Sequence, residues 1–154
     1  MEADHVDWIS ENLYALAVSP DEECKYIYAL HLLLADVDGG GLLAYLVNSS
    51  ADTFPHIRMS FDAMGCSEGK IWADELELAF GGAVPAHRDE RIDIVLPMVR
   101  RGDAFNPFDR LSVMLDDLTP QLEAMLIRLV QQKSVDTTWR PDKTIRLGGH
   151  LTEP

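Results

Sequence analysis

Cysteine is scarce: Cys24 and Cys66 are the only two in 154 residues. Neither has a CxxC partner, and both sit in apolar helical patterns. Buried free thiols are therefore expected, not a disulfide framework or a structural zinc site. The five histidines, His5, His31, His56, His87 and His150, form no HxxxH or HExxH pair, so no metal is expected. Period-2 alternation of apolar and polar residues is nearly absent, which argues against a sheet. No stretch of about 18 apolar residues stands out, so no transmembrane span is expected. The opening Met1-Glu2-Ala3-Asp4-His5 lacks a basic region followed by an apolar one, so no signal peptide is expected. A cytoplasmic location is the expectation. Positive charge is the scarcest feature. The chain has 13 Lys and Arg against 26 Asp and Glu, a net charge of −13. Residues 1–40 hold a single base, Lys25, against Glu2, Asp4, Asp7, Glu11, Asp21, Glu22, Glu23, Asp36 and Asp38. Direct binding to nucleic acid is disfavoured, because phosphates would meet carboxylates. A basic partner suits this charge, and so does a merely solubilising acidic surface.

What remains is a chain rich in apolar residues, 47% of the total, and long enough to bury a core in one domain. The pattern is helical throughout. The expected class is all-α: a single compact domain of about eight helices over residues 1–133, with an irregular C-terminal arm over 134–154. Val6, Ile9, Leu13 and Leu16 recur at helical spacing over 4–18. Ser19-Pro20-Asp21-Glu22 reads as a restart, with Ser19 as cap and Glu22 completing a capping box. The second helix runs to about Val37, where Gly39, Gly40 and Gly41 stop it. Leu42 to Val47 is apolar on nearly every side and reads as a short helix central to the core, ended by Asn48, Ser49 and Ser50. Pro55 opens a helix closed by Gly65, and Ile71 to Phe80 forms the next, closed by Gly81-Gly82. A helix through Ile92, Val95 and Leu96 is kinked or ended by Pro97. Arg100 to Phe105 reads as a loop. Asn106-Pro107 and Thr119-Pro120 each start a further helix. Trp139, Ile145 and Leu147 could pack as an arm.

Tests for chemistry return little. Gly39-Gly40-Gly41 lacks the lysine of a phosphate loop, and Asp36 and Asp38 before it would repel phosphate. Asp36-Val37-Asp38 loosely resembles a calcium loop, but its twelfth position is Val47, where a bidentate glutamate is needed. No Gly-x-Ser-x-Gly elbow is present, and helix termination explains Ser49 and Ser50. Asp116-Asp117 and Asp74-Glu75 diverge by about 100° on a helix, as solvated faces would. His31 falls on the apolar stripe of the second helix, as a satisfied core histidine would. No catalytic residue and no cofactor is expected.

The run Val37-Asp38-Gly39-Gly40-Gly41-Leu42-Leu43-Ala44-Tyr45-Leu46-Val47-Asn48-Ser49 resembles a family pattern: a polar pair, Gly-Gly, an aromatic, Tyr, then Asn-Ser. Phe61-Asp62-Ala63-Met64-Gly65-Cys66 resembles a second step of that pattern, and Phe80-Gly81-Gly82 with Pro85 and Arg88 to Arg91 fits as well. The family is the bacterial DNA-mimic protein family. Gly39 stands where the family usually has Asn, and Leu42 where it usually has an aromatic. The resemblance covers roughly residues 24–130. It marks Gly40, Gly41, Tyr45, Asn48, Ser49 and Gly65 as structural motif residues. It also implies a possible homodimer and a mode of action, in which surface carboxylates imitate DNA phosphates and occupy the DNA site of a basic DNA-binding protein. Asp4, Asp7, Glu11, Asp21, Glu22, Glu23, Asp36 and Asp38 are the candidate partner-binding residues. The first three share one helix face at i, i+3 and i+7. Three other readings stay open: an immunity or anti-defence inhibitor of a nuclease, a small-ligand binder or enzyme around Tyr45, Asn48 and His31, and a structural subunit.

Overall fold

The computed structural model describes residues 3–102 and 106–141. Ile145 and Leu147 of the expected arm, and Glu2 among the acids, lie outside those residues. Among them the chain forms six α-helices and one 3₁₀ turn: α1 (Ala3–Val18), α2 (Glu22–Val47), the turn Ser49–Thr53, α3 (Phe54–Met64), α4 (Ser67–Ala79), α5 (Arg88–Arg101) and α6 (Pro107–Ser134). The class is all-α as expected. The count of eight is corrected to six, and in both mergers glycine or proline had suggested a break.

The first merger is at Gly39–Gly41. α2 bends there and continues, with Gly40 at φ −176°, ψ 18° and Gly41 at φ 69°, ψ −163°. Gly41 takes the left-handed region that other residues avoid. A Cβ on Gly40 would lie 2.9 Å from that of Ala44. The helical dihedrals therefore do break where the glycines predict it, and the two pieces run on across this kink as one span. Beyond the bend Leu42, Tyr45 and Leu46 are buried, while Leu43 is exposed, so the segment is central on one side only.

The second merger is at Pro120. Phe108, Leu111, Leu115, Leu118, Leu122, Met125 and Leu129 are buried along one unbroken stripe. Proline inside a helix costs about 3 kcal/mol. Each large apolar side chain held in register contributes about 1.5–3 kcal/mol. The stripe outweighs the break, and Pro120 sits on the solvent side, where the Thr119 hydroxyl donates to the Leu115 carbonyl at 2.9 Å. Pro97 likewise lies inside α5, which runs on through Arg101. Of the two expectations for Pro97, a kink or an end, the end is excluded, and the start of the expected Arg100–Phe105 loop is overturned.

α2 and α6 make the most extensive contact; α1 packs on both, α3 on α2 and α4, α4 on α6, and α5 on the C-terminal part of α2. On 26 residues with a window of mean hydropathy 1.4, α2 is, by length and composition only, long and apolar enough to cross a membrane. Its Cys24, Ile27, Leu30, Leu33, Tyr45 and Leu46 are instead buried in the helical core. Trp72 anchors the other half of that core. Its ring meets Phe54 and Phe61 edge-on at 6.3 and 6.4 Å, and its indole N–H donates to the Leu111 carbonyl at 3.2 Å. Cys24 and Cys66 are free and buried, and Trp139 packs on Trp8 with ring centroids 5.3 Å apart.

Two caps hold as expected. Gly65 ends α3 at φ 68°, and the Asn106 side chain accepts from the Phe108 amide at 3.0 Å to start α6. One cap moves: Asp21, not Ser19, caps α2, accepting from Glu23 and Cys24 amides at 2.8 and 3.5 Å. Ser19 instead accepts from the Asp21 amide at 3.2 Å.

The packing of α3 on α4 yields a test. A Cβ on Gly69 would lie 2.5–2.8 Å from three Phe61 ring carbons, and that ring is held against Trp72. Gly69→Ala should lower urea-unfolding stability by about 1–3 kcal/mol through overpacking. Gly39→Ala, with nothing within 4 Å of the new Cβ, should leave it unchanged or raised.

Candidate protein-binding surface

The chain's motif residues and its outward charges occupy different places. The motif builds a buried joint. The last carbonyls of a helix lack internal partners, and near the end of α2 Leu46 is fully buried, so its carbonyl must be satisfied by something other than water. α5 supplies it. Arg91, 0% exposed, donates through Nε to the Leu46 carbonyl at 3.0 Å. Its Nη2 donates to the Asn48 carbonyl at 2.8 Å and to Asp52 Oδ1 at 2.7 Å. Its Nη1 donates to the carbonyls of Pro85 and Ala86 at 2.9 and 3.1 Å. All five guanidinium N–H donors are thereby used. Arg88 donates to the Val47 carbonyl beside it. Two cations at a helix C-terminus also suit its dipole.

Asn48 closes the joint from the other side, donating through Nδ2 to Asp36 Oδ1 at 2.9 Å and so tying the helix end back across the bend. Tyr45 is sealed in the core, where burial drives its phenol well above the ordinary range, against the partial opposition of the Thr53 side chain. Ser49 starts the 3₁₀ turn, exposed. Tyr45, Asn48 and His31 are not gathered into a site: Tyr45 is enclosed, Asn48 is bonded to Asp36, and His31 lines a groove elsewhere. No group of three or more His, Cys, Asp or Glu side chains suited to a metal occurs among the described residues.

The eight candidate acids divide into two kinds. Asp21 is committed internally, both as a helix cap and to Lys133 Nζ at 2.7 Å. Lys133 is 3% exposed and also lies 3.5 Å from Glu23 and 3.4 Å from Asp136. Burial pulls its ammonium down, and the hydrogen bond and charge of Asp21, together with Cys24 and Asp136, leave it raised overall. The same bond holds the Asp21 carboxyl low. Two bonds from Thr138 do more for Asp136, which is lowered to about 2. Asp36 is bonded to Asn48, and Glu22 accepts a long bond from the Tyr26 hydroxyl at 3.5 Å.

The other kind faces outward. Asp4, Asp7 and Glu11 are exposed on the side of α1 opposite Ile9 and Leu16. Asp38 is exposed just before the bend, on the rim of a groove of about 660 Å³ between α1, α2 and α6. Val6, Leu34 and Val37 form its apolar floor, and Asp116 and Glu123 of α6 complete its acidic rim. No lysine or arginine lines the groove, and α1 contains none. The α3–α4 side differs, with Arg58 held to Asp74 and Glu77 at 2.6 and 3.3 Å, and Lys70 to Asp62 at 2.6 Å.

Asp116 and Glu123 are the acids that the sequence reading missed as candidates. With Thr119 they stand at i, i+3 and i+7, the spacing that singled out Asp4, Asp7 and Glu11. Treating Pro120 as a helix start removed the common phase between them.

A family model described as DMP19-like protein matches residues 20–133. No curated protein and no solved structure matches the chain.

Two outcomes test this geometry. Arg91→Ala strips partners from several carbonyls and should cost about 3–5 kcal/mol in urea unfolding. Arg91→Lys should recover only part, having three donors for five positions. The pH dependence follows from Asp21 and Asp136, whose carboxyls titrate lower in the folded chain than unfolded. As pH falls, the unfolded chain takes up these protons first, so the stability they lend is intact above about pH 4. It should be lost as pH drops toward about 2. Lys133→Met should flatten that acid limb in thermal melts recorded across the range.

Proposed function

The chain belongs to the DMP19-like family, a family of DNA-mimic-like proteins, and from that premise we propose that it binds the DNA site of a basic DNA-binding protein in the cytoplasm. The observation that carries the reading is the outward, unneutralised array of Asp4, Asp7, Glu11, Asp38, Asp116 and Glu123. Among the described residues none of the six is held in an ion pair, and no Lys or Arg lies on α1 or in the groove. Val6 lines the groove beside Val37 and Asp38, so the start of α1, with Asp4 and Asp7, lies at the same end of the molecule.

Duplex DNA offers a negative charge about every 1.7 Å of axis, and its ligands answer with Lys and Arg. Carboxylates fixed on rigid helices offer the same partner a comparable array. No reaction is part of this reading: the motif residues are consumed in the joint, and the outward groups are solvated carboxylates. An inhibitor of a nuclease would use the same charges, and it separates from the first reading by what the partner does with DNA.

Protein immobilised in native lysate should retain a basic DNA-binding protein at about 50 mM salt and release it at several hundred millimolar. The Asp4→Asn, Asp7→Asn, Glu11→Gln variant should melt normally and lose that capture. The retained protein should then be displaced by added duplex DNA in an anisotropy competition. Simultaneous binding of DNA and this chain would exclude mimicry, and retention of nothing basic at any salt would remove the reading altogether.

A further inference from the structure

An array of phosphate-like charges needs no apolar floor, yet the acidic groove has one. Val6 is 37% exposed there, and Leu34, Val37 and the exposed Ala35 of α2 continue the floor. Thr119 stands on the α6 wall midway between the rim carboxylates of Asp116 and Glu123. Those two are seven residues apart on one continuous helix, about 10.5 Å along its axis at 1.5 Å per residue. His31 lies at the edge of the floor, and burial holds its imidazole below the ordinary range, so it adds no positive charge near neutral pH.

A groove of this form fits one kind of occupant. An amphipathic helix lays apolar anchors into an apolar channel and reads its flanks by charge. A helix running beside α6 would place two bases about 10.5 Å apart by spacing them seven residues, with an apolar residue between them. The rim is wholly acidic, which selects lysine or arginine at those flanks and rejects acidic helices.

We infer that the groove between α1, α2 and α6 is a docking site for a helix of the protein partner that carries Lys or Arg at i and i+7 and an apolar side chain between them. The inference rests on the reading that the acidic face binds a basic protein, and it adds a contact that DNA itself does not make. The charge array draws the partner in and weakens as salt rises. The buried anchor does not depend on salt, and it distinguishes one basic helix from another.

The test uses fluorescein-labelled, Ala-rich helical peptides, read by anisotropy at 0.15 and 0.5 M salt. One peptide carries Lys at i and i+7 with Leu at i+3; a second has that Leu replaced by Gln; a third scrambles the same composition. The first should bind the intact protein about tenfold more tightly than the other two, and the Leu-over-Gln ratio should persist at the higher salt. Ala35→Trp fills the groove without altering charge, and its melting temperature shows whether the fold is intact. It should lose that tenfold preference. Asp116→Asn with Glu123→Gln should weaken the first peptide mainly at low salt. Equal binding of the Leu and Gln peptides, or an unchanged preference in a folded Ala35→Trp protein, overturns the inference. Asp4→Asn, Asp7→Asn, Glu11→Gln leaves the groove intact, so it separates the two proposals. If that variant alone controls capture while Ala35→Trp changes nothing, mimicry stands without the groove. If the peptide preference holds but captured proteins keep their DNA, the groove stands without mimicry.

Discussion

The end of α2 is the constraint on which the rest of the structure depends. A 26-residue helix runs through the centre, bends at Gly40–Gly41, and ends against α5, with Leu46 fully buried and its final carbonyls facing Arg88 and Arg91. Water does not reach Leu46, and an unanswered carbonyl there would cost about 1–3 kcal/mol. Arg91 answers it with a rigid fork of five donors, which a lysine could not reproduce. That one requirement positions several segments. It fixes the first turn of α5 against the end of α2, draws the Pro85–Ala86 backbone onto the guanidinium, and orients Asp52 of the 3₁₀ turn. Asn48, bonded to Asp36, ties the end of α2 back across the bend.

The same economy of cations explains the surface. With 13 bases for 26 acids, each base used inside leaves the outside more negative. Arg91 and Lys133 are both buried, one at the end of α2 and the other at its start. Arg58 and Lys70 are occupied in pinning α3 to α4. The surplus is therefore not spread evenly. It gathers on α1, which has no base, and along the α2–α6 rim. Exposed pairs such as Arg58–Asp74 add little stability, since pairs of that kind are generally worth under about 1 kcal/mol. Their larger effect is on the pattern of charge.

Most of the local signals hold, the Ser19 cap being the exception. The Asn106 cap, the left-handed Gly65 and the buried free thiols follow from single residues and their immediate neighbours. The sequence reading failed where a local signal met a long-range one. Pro120 is strong punctuation, yet it lies in a helix whose apolar stripe continues on both sides, and burial of that stripe decides the outcome; at Gly40 and Gly41 the helical backbone does break, as the glycines indicate. The heptad-like run Phe108, Leu111, Leu115, Leu118, Leu122 was visible, and weighing it against one proline would have kept α6 whole. Asp21 shows a different limit. Nothing in the local sequence says that Lys133, 112 residues away, would meet it, so its internal role was not legible.

Apart from Asp38, which stands both in the motif run and on the groove rim, the residues of the motif joint and the features that would perform the function are physically separate. Tyr45, Asn48, Gly40 and Gly41 serve the joint, and a chain could keep all four while rearranging every outward carboxylate. Family membership therefore constrains the backbone more tightly than the partner. A net charge of −13 alone attracts any basic surface, and such attraction decays over about 8 Å at physiological salt. Choice among basic partners has to come from contacts of shorter range. On this molecule the acidic rim and the apolar floor meet in one groove, between α1, α2 and α6. The buried arginine works at the other end of α2, where it holds the segment beyond the bend against α5, while Asp38 lines the groove with Asp116 and Glu123 from the segment before it.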